Sequence, residues 1–242
     1  MRLLLLSFLL TFSVFGQNQL TKTYIETLCS PSFHGRGYVN GGDSIAADFI
    51  ANSFKEIGLK PLGETYFQEF HFPVQTFPGA CELKMDGEAL IPAVHYLVAP
   101  NSGSSCAEFD GKKGKTYRVV TCNPETLYKS TSSFYPCPKN VILAVRLFGM
   151  SSDSLKVIKT RLRELSAFAP VMEITRDKFT WSVSQTANAY PFVQVQDSVF
   201  QRMNEGSIDL HIETRLLKDH TAKNVIGYLP ARKHAHHREQ QR

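Results

Sequence analysis

The clearest periodic pattern along the chain is a helical stripe of apolar residues between positions 43 and 57. Its members recur every three or four residues, which places them on one face of a helix. They are Ala46, Phe49, Ile50, Phe54 and Ile57. Asp43 is a candidate N-cap ahead of the stripe, and Gly58 and Pro61 are stop signals behind it. The pattern predicts a helix over residues 43–57.

Two other segments have apolar residues at helical spacing. Residues 17–30 predict a short helix and contain Leu20, Tyr24, Ile25 and Leu28. Residues 154–169 predict a basic amphipathic helix, with Leu155, Ile158, Leu162 and Leu165 on one side. Residues 30–42, which separate the first helix from the apolar stripe, are rich in turn formers and predict a loop.

The pattern becomes strand-like from Tyr66 onward. Residues 141–145 form a continuous apolar run that suits a buried strand, whereas residues 208–214 alternate between apolar and polar side chains as in a half-buried strand. Asp86-Gly87 is typical of a hairpin turn. Further predicted strands lie at 67–72, 81–85, 171–174, 192–195 and 224–229. The mixture predicts a mixed α/β fold, in which a β-rich domain with flanking helices follows a helical lead-in.

The N-terminus has the pattern of a secretory signal peptide. Arg2 supplies a positive charge, residues 3–15 are almost wholly apolar, and Val14 and Gly16 are small enough for a signal-peptidase site. No other apolar stretch approaches the roughly 20 residues that span a bilayer. We therefore expect a secreted or periplasmic protein with no stable membrane span after signal removal. The alternative is an uncleaved membrane anchor.

The formal net charge of +5 is concentrated at the two ends of the chain. Arg2 carries one positive charge and residues 231–242 carry a net three, which leaves +1 for residues 17–230. A nucleic-acid-binding domain needs a basic face on the folded body. We therefore expect no nucleic-acid partner.

The chain contains five cysteines, and their spacing excludes two common motifs. They are Cys29, Cys81, Cys106, Cys122 and Cys137. No pair is spaced as C-x-x-C, so neither a zinc knuckle nor a thioredoxin-type motif is present. Export permits disulfides, and two interpretations stay open for the last three cysteines: one bridged pair, or free buried thiols.

Several segments, taken in order, resemble the opening of the secreted zinc aminopeptidases of metallopeptidase family M28. In that family a Gly/Arg loop, here residues 34–37 (His-Gly-Arg-Gly), leads into a helix that ends in Phe-Lys-x-x-Gly-Leu-Lys-Pro. Residues 54–61 reproduce that ending, and the aromatic segment 66–70 follows it. Residues 223–230 are similar to the strand that leads into the family's peptidase sheet.

The resemblance implies an organisation in five segments. Residues 1–16 are the signal peptide and 17–74 are the N-terminal lead-in of a peptidase domain. Residues 75–214 occupy the place of an inserted, protease-associated-like β-rich domain. Residues 215–230 are the strand that leads into the peptidase sheet, and 231–242 are a disordered basic tail. In this interpretation the chain holds one strand of an α/β peptidase sheet whose remainder is missing.

The resemblance also implies a chemistry that needs a fixed ligand set. The family uses two zinc ions bridged by an acidic residue, a metal-activated water and a Glu as general base. Its first ligands are a His-x-Asp one strand beyond the segment that matches residues 223–230. Residues 231–242 contain no His-x-Asp. We therefore expect no catalytic, cofactor-binding or metal-binding residue in this chain, with zinc expected for the intact family only.

The remaining candidate groups do not form a motif. His34, His71, His95, His211 and His220 are scattered along the chain. His211 and Glu213 share one side of an alternating strand, which is typical of a solvated face. His234, His236 and His237 form a loose cluster in the tail. Ser182 and Ser184, near Trp181, lie in a polar loop without a nucleophile motif.

Two functions from different classes follow from this sequence. The first is a truncated, exported zinc-aminopeptidase-like protein that is inactive as this chain because the di-zinc ligands are missing. The second is a stand-alone secreted module that binds peptide or protein through the β-rich domain. Residues 224–229 favour the first function, because a strand that leads into a second sheet has no use in a self-contained module.

Overall fold

The computed structural model describes residues 19–105, 114–129, 140–203 and 206–230. The chain forms two compact units. Unit 1 comprises residues up to His71 together with those from Thr221 onward, and unit 2 comprises Phe72–His220. The signal-peptide, tail and Cys106–Cys137 predictions lie wholly or partly outside the described residues, and the five-segment domain boundaries stay predictions.

Helices and strands are numbered here in chain order. The helices are α1 (residues 19–28), α2 (Gly42–Glu56), α3 (Pro124–Lys129), α4 (Ser152–Leu165) and α5 (Asp197–Phe200). The strands are β1 (Lys60–Pro61), β2 (Phe67–Thr76), β3 (Cys81–Met85), β4 (Glu88–Ala89), β5 (Tyr96–Val98), β6 (Lys115–Cys122), β7 (Val141–Arg146), β8 (Val171–Thr175), β9 (Phe192–Gln196), β10 (Ser207–Ile212), β11 (Arg215–Val225) and β12 (Gly227–Tyr228).

Helix α2 of unit 1 confirms the predicted helix, with a correction at its start. Asp43 is not the N-cap, because the helix begins at Gly42 and Gly41 takes the cap position in the left-handed region at φ 66°. The backbone is tight here, since a Cβ on Gly42 would come 2.5 Å from the carbonyl oxygen of Phe33. Asp43 lies in the first helical turn, and Gly58 has the left-handed φ of 84° expected after the helix.

The predicted strand at 224–229 is two strands. Strand β11 ends at Val225 and β12 begins at Gly227, and the intervening Ile226 donates its N–H to the carbonyl oxygen of Tyr66. The residue pattern predicted only the end of β11, because residues 215–224 are polar and lack apolar alternation, although the family resemblance implied a strand over residues 215–230. Strand β11 pairs with β2 in a two-stranded sheet.

Unit 2 is built on one mixed sheet of eight strands in the order β4-β3-β10-β6-β7-β8-β9-β5. Strands β6, β7, β8 and β9 are parallel neighbours, while the strands on either side of them pair antiparallel. Helices α3 and α4 lie between successive parallel strands along the chain. This arrangement confirms the mixed α/β fold class.

Apolar side chains cover both faces of the parallel strands, which explains the continuous apolar run of β7. On one face Ile142, Ala144 and their neighbours form one cluster. On the other face Val141, Leu143 and Val145 pack with Ile158 and Leu162 of α4 in a second cluster. Each central strand therefore buries alternate residues into two different cores.

Most local predictions in unit 2 are confirmed. Asp86 and Gly87 have positive φ values of 50° and 81° between β3 and β4, as a type I′ hairpin turn requires. Ile208, Leu210 and Ile212 of β10 are buried, whereas Asp209 is exposed. Helix α4 begins after Ser151, whose hydroxyl accepts the N–H of Ser154. No helix in the described ranges is long and apolar enough to cross a membrane.

Candidate functional site

In unit 1 the structure brings together two of the segments that carry the family resemblance. Lys60 pairs with Tyr228, and Pro61 pairs with Gly227, although more than 160 positions separate them in the chain. Gly227 packs on Phe54 and Leu59 so closely that a side chain there would collide with them. The hydroxyl of Tyr66 donates to the carbonyl oxygen of Leu59 at 2.6 Å. The end of α2 and the late strand β12 thus form one packed element.

The described histidines do not converge on a metal site. His95 Nδ1 accepts the N–H of Ile91 at 3.1 Å, and His71 Nδ1 lies 3.2 Å from the hydroxyl of Thr221. His220 stacks edge-on against Phe72. His34 lies in a turn with a left-handed backbone at φ 46°. Over the described part of the chain, no group of three or more His, Cys, Asp or Glu side chains is close enough to hold a metal ion. These residues do not fit a di-zinc centre.

His211 lies between two carboxylates at the surface of β10. Its Nε2 is 3.0 Å from Oε1 of Glu213, and its Nδ1 is 3.9 Å from Oε2 of Glu82. The sequence placed His211 and Glu213 on one solvated side of the strand. The structure puts them on the same side and joins them, with side-chain exposures of 22% and 47%.

The Cys81 thiol, which lies near Glu213, is not a nucleophile at neutral pH. Burial, and secondarily the charge of Glu213, raises the pKa of Cys81 from 9.0 to about 11. Burial, followed by the charges of Cys81 and Glu82, raises the pKa of Tyr96 from 10.0 to about 12. The Tyr96 hydroxyl donates to the carbonyl oxygen of Cys81. Because the thiolate is the reactive form of cysteine, the Cys81 thiol is a poor nucleophile here.

A charged cluster that the sequence did not predict lies at the carboxyl ends of three parallel strands. Arg146 ends β7, Arg176 directly follows β8 and Asp197 directly follows β9. The Asp197 side chain is only 4% exposed, and its Oδ2 accepts from Nε of Arg176 at 2.8 Å and from Nε2 of Gln201 at 2.7 Å. Nε of Arg146 lies 3.8 Å from Oδ1.

A second buried carboxylate lies on β8. Oε2 of Glu173 accepts from Nε2 of Gln194 at 3.1 Å, and its Oε1 is 3.5 Å from Nζ of Lys159. One cation thus balances the charge of this carboxylate and one amide donates a hydrogen bond to it, which is the usual condition for burying a charge. The Asp197 cluster differs, because it has two cations for one carboxylate.

These clusters were missed because each carboxylate and its cations are 14 to 51 positions apart and none belongs to a motif. One signal was available. Each of the three apolar strand patterns ends in a charged residue, and the carboxyl ends of neighbouring parallel strands meet at one edge of a sheet. Ser182 and Ser184, which were considered and set aside, lie in the loop after β8. There the Ser184 hydroxyl donates to the carbonyl oxygen of Thr186 at 2.8 Å.

With this geometry established, the fold can be compared with solved structures. The structure of BSAP, a zinc aminopeptidase from Bacillus subtilis, is similar with a TM-score of 0.50 and 14% identity, over 80% of this chain and 42% of that chain. An aminopeptidase from Aneurinibacillus sp. strain AM-1 is similar with a TM-score of 0.44 and 15% identity, over 77% of this chain and 42% of that chain. A peptidase M28 precursor from Shewanella amazonensis SB2B is similar with a TM-score of 0.45 and 14% identity, over 78% of this chain and 46% of that chain.

The likeness to BSAP shows that this chain shares its mixed α/β fold with part of a zinc aminopeptidase. This chain matches less than half the length of each of these three structures. No family model matches the sequence, and no curated protein is similar to it. The identity is too low to extend the comparison from fold to activity.

Proposed function

We propose that this chain is an M28-type zinc-aminopeptidase-like protein that carries the lead-in and the access-shaping domain of such an enzyme without its di-zinc centre. The observation that carries the proposal is the fold shared with a zinc aminopeptidase over 80% of this chain. The pairing of β1 with β12 supports it, because these strands belong to two of the segments that resemble the family.

In this proposal the β-rich domain, residues 75–214, is protease-associated-like and contributes contacts to peptide near the active-site cleft of an intact enzyme. Support comes from its position between the two segments that resemble the peptidase domain. The chain is exported through the signal-like residues 1–16. Intact-mass measurement of the exported protein tests export, with Gln17 or a neighbour expected as the first residue and retention of Met1 as the contrary result.

Hydrolysis of aminoacyl-nitroanilides in the presence of added zinc tests the enzymatic part of the proposal. The 242 residues are expected to show no zinc-dependent turnover, because the described histidines and carboxylates do not form a metal-binding group. The matched control is the same chain without residues 231–242, which removes the histidine cluster of the tail. Zinc-dependent turnover that persists in this control contradicts the proposal.

A second function, a stand-alone module that binds peptide or protein, is favoured by one observation. Unit 2 has apolar cores on both faces of its sheet that are made from its own residues. A domain with such cores does not need a catalytic partner to hold its fold. Saturable binding of unstructured peptide by the full chain, without any zinc-dependent turnover, is the result that supports this function over the first.

A further inference from the structure

We propose that Arg146 and Arg176 form a binding site for a carboxylate group of a peptide, at the carboxyl edge of strands β7, β8 and β9. The choice of a peptide as ligand rests on the proposed function, whereas the two arginines belong to unit 2 and the test measures binding and not turnover.

The position of the two arginines is the first support. Arg146 and Arg176 lie at the ends of adjacent parallel strands, and Asp197 lies at the end of the third. The two arginines therefore lie at one edge of the sheet, and both approach the same carboxylate.

Arg146 pairs with Asp197 by charge alone, without a hydrogen bond to it. Arg176 and Gln201 both donate to Oδ2, whereas Oδ1 is buried and makes no hydrogen bond within the described residues. Nε of Arg146, at 3.8 Å from Oδ1, is close enough for attraction and too far for a hydrogen bond. Among the described residues the Arg146 side chain makes no hydrogen bond, and its interactions there are the attraction to Asp197 and the contact with the Phe200 ring.

Both guanidinium groups are already held in place. Cζ of Arg176 lies 4.0 Å from the centroid of the Phe148 ring, and Cζ of Arg146 lies 5.3 Å from the centroid of the Phe200 ring. Such stacking on an aromatic face is a favourable cation–π arrangement. The aromatic contacts already restrict the two arginine side chains, so these side chains lose less conformational entropy when a ligand binds.

The charge of the cluster selects an anion. Among the described residues Arg146 and Arg176 face a single carboxylate, that of Asp197, which leaves one positive charge in excess there. Asp177 and Lys178, next along the chain, carry opposite charges. The two arginine side chains are 45% and 60% exposed, so a ligand can reach their terminal nitrogens. The planar fork of arginine matches the two oxygens of a carboxylate.

The test is a titration of the full ¹⁵N-labelled chain with blocked dipeptides, followed through the Nε–Hε signals of the arginines. Acetyl-Gly-Glu-amide offers a side-chain carboxylate, acetyl-Gly-Gln-OH offers a terminal carboxylate, and acetyl-Gly-Gln-amide offers neither. We expect saturable shifts of the Arg146 and Arg176 signals with at least one of the first two probes and none with the third. The probe that binds more tightly shows whether the site takes a side-chain carboxylate or a terminal carboxylate.

Matched variants locate the binding. Arg146→Gln is expected to weaken the binding about tenfold, as loss of one charge-assisted pair does, and to keep its fold because Arg176 and Gln201 still donate to Asp197. Arg176→Lys keeps the charge at the second position and is expected to weaken binding less. Arg163→Gln, an exposed residue of α4 with the same change of charge, is the control and is expected to bind as the unaltered chain does.

Three results overturn the proposal. The first is unaltered binding by Arg146→Gln. The second is equal binding of the neutral dipeptide. The third is an affinity for inorganic phosphate that is more than about tenfold higher than the affinity for either carboxylate probe. The proposed ligand class would then be wrong.

Discussion

Gly227 lies so close to Phe54 that a Cβ at position 227 would come within 2.7 Å of the ring atom Cδ2. The same Cβ would lie 3.3 Å from Cβ of Leu59. Phe54 cannot move freely, since its ring packs edge-on against Tyr66 with the centroids 6.3 Å apart. The contact joins the end of α2 to β12, the two places where the sequence most resembles the zinc aminopeptidases.

Gly227→Ala should therefore destabilise unit 1. A methyl group has no room at this position, and overpacking of this kind typically costs about 1–3 kcal/mol. The measurement is the free energy of local opening, from hydrogen exchange of the amides of α2 and β1. The double variant Gly227→Ala with Phe54→Leu should recover part of the loss, because the smaller side chain makes space.

The matched control for this prediction is Gly63→Ala. A Cβ on Gly63 meets no atom within 4 Å, and its φ is not in the left-handed region. Surface changes of this type usually stay within about 0.5 kcal/mol. Equal effects of the two substitutions would show that the close approach of Gly227 to Phe54 has no energetic importance.

The sequence predicted those elements whose formation depends on local pattern. Asp86-Gly87 turns the chain because both residues accept a positive φ, and residues 141–145 are apolar throughout because both faces of β7 are covered. Asp43 was misassigned because the tight approach of Gly42 to Phe33, which is not visible in the sequence, sets where α2 begins. The apolar pattern did not show most of β11, because pairing with β2, and not apolar alternation, makes it a strand.

The candidate binding site could not be predicted from local sequence patterns, for a similar reason. Asp197 is buried only because β7 and β8 bring Arg146 and Arg176 beside it from 51 and 21 positions away. Nothing within a few residues of Asp197 distinguishes it from an exposed aspartate at a helix start.

The raised pKa of Cys81 predicts low reactivity. At pH 8 a thiol with a pKa of about 11 is thiolate to only about one part in a thousand. Cys29 is exposed and free, so it should react with iodoacetamide much faster. Peptide mapping by mass spectrometry after brief alkylation separates the two sites. Comparable labelling of Cys81 and Cys29 at pH 8 would contradict the burial of the Cys81 thiol.

The same shifts predict that stability falls in alkali. The folded pKa values of Cys81 and Tyr96, about 11 and about 12, lie above the ordinary values of 9.0 and 10.0. The unfolded chain therefore loses these protons first as the pH rises, and the folded chain is the form that keeps them. This contribution is fully present below pH 9 and is lost between pH 9 and 12.

Urea unfolding of the chain between pH 8 and 11 measures this loss. Cys81→Ala removes the thiol, and its free energy of unfolding should fall less steeply with pH than that of the unaltered chain. Parallel curves for the two proteins would show that Cys81 has the same pKa in the folded and unfolded states.

Hydrogen exchange should distinguish the parallel strands from α2. Strands β7 and β8 are paired on both sides and buried on both faces. Of the apolar stripe of α2 only Ala46 is fully buried, and Ile57 is 57% exposed. We expect the amides of β7 and β8 to exchange only on global opening of unit 2 and those of α2 to exchange much faster. Protection of α2 equal to that of β8 would mean that the helix has a complete core.

Zinc stoichiometry tests the central claim most directly, namely that these 242 residues have a zinc-aminopeptidase-like fold without a di-zinc centre. The measurement is the zinc retained per chain after equilibrium dialysis, for the unaltered protein and for a variant with His234→Ala, His236→Ala and His237→Ala. The account predicts at most loose zinc on the unaltered chain and none retained by the variant. Two tightly held zinc ions per chain in that variant would contradict it.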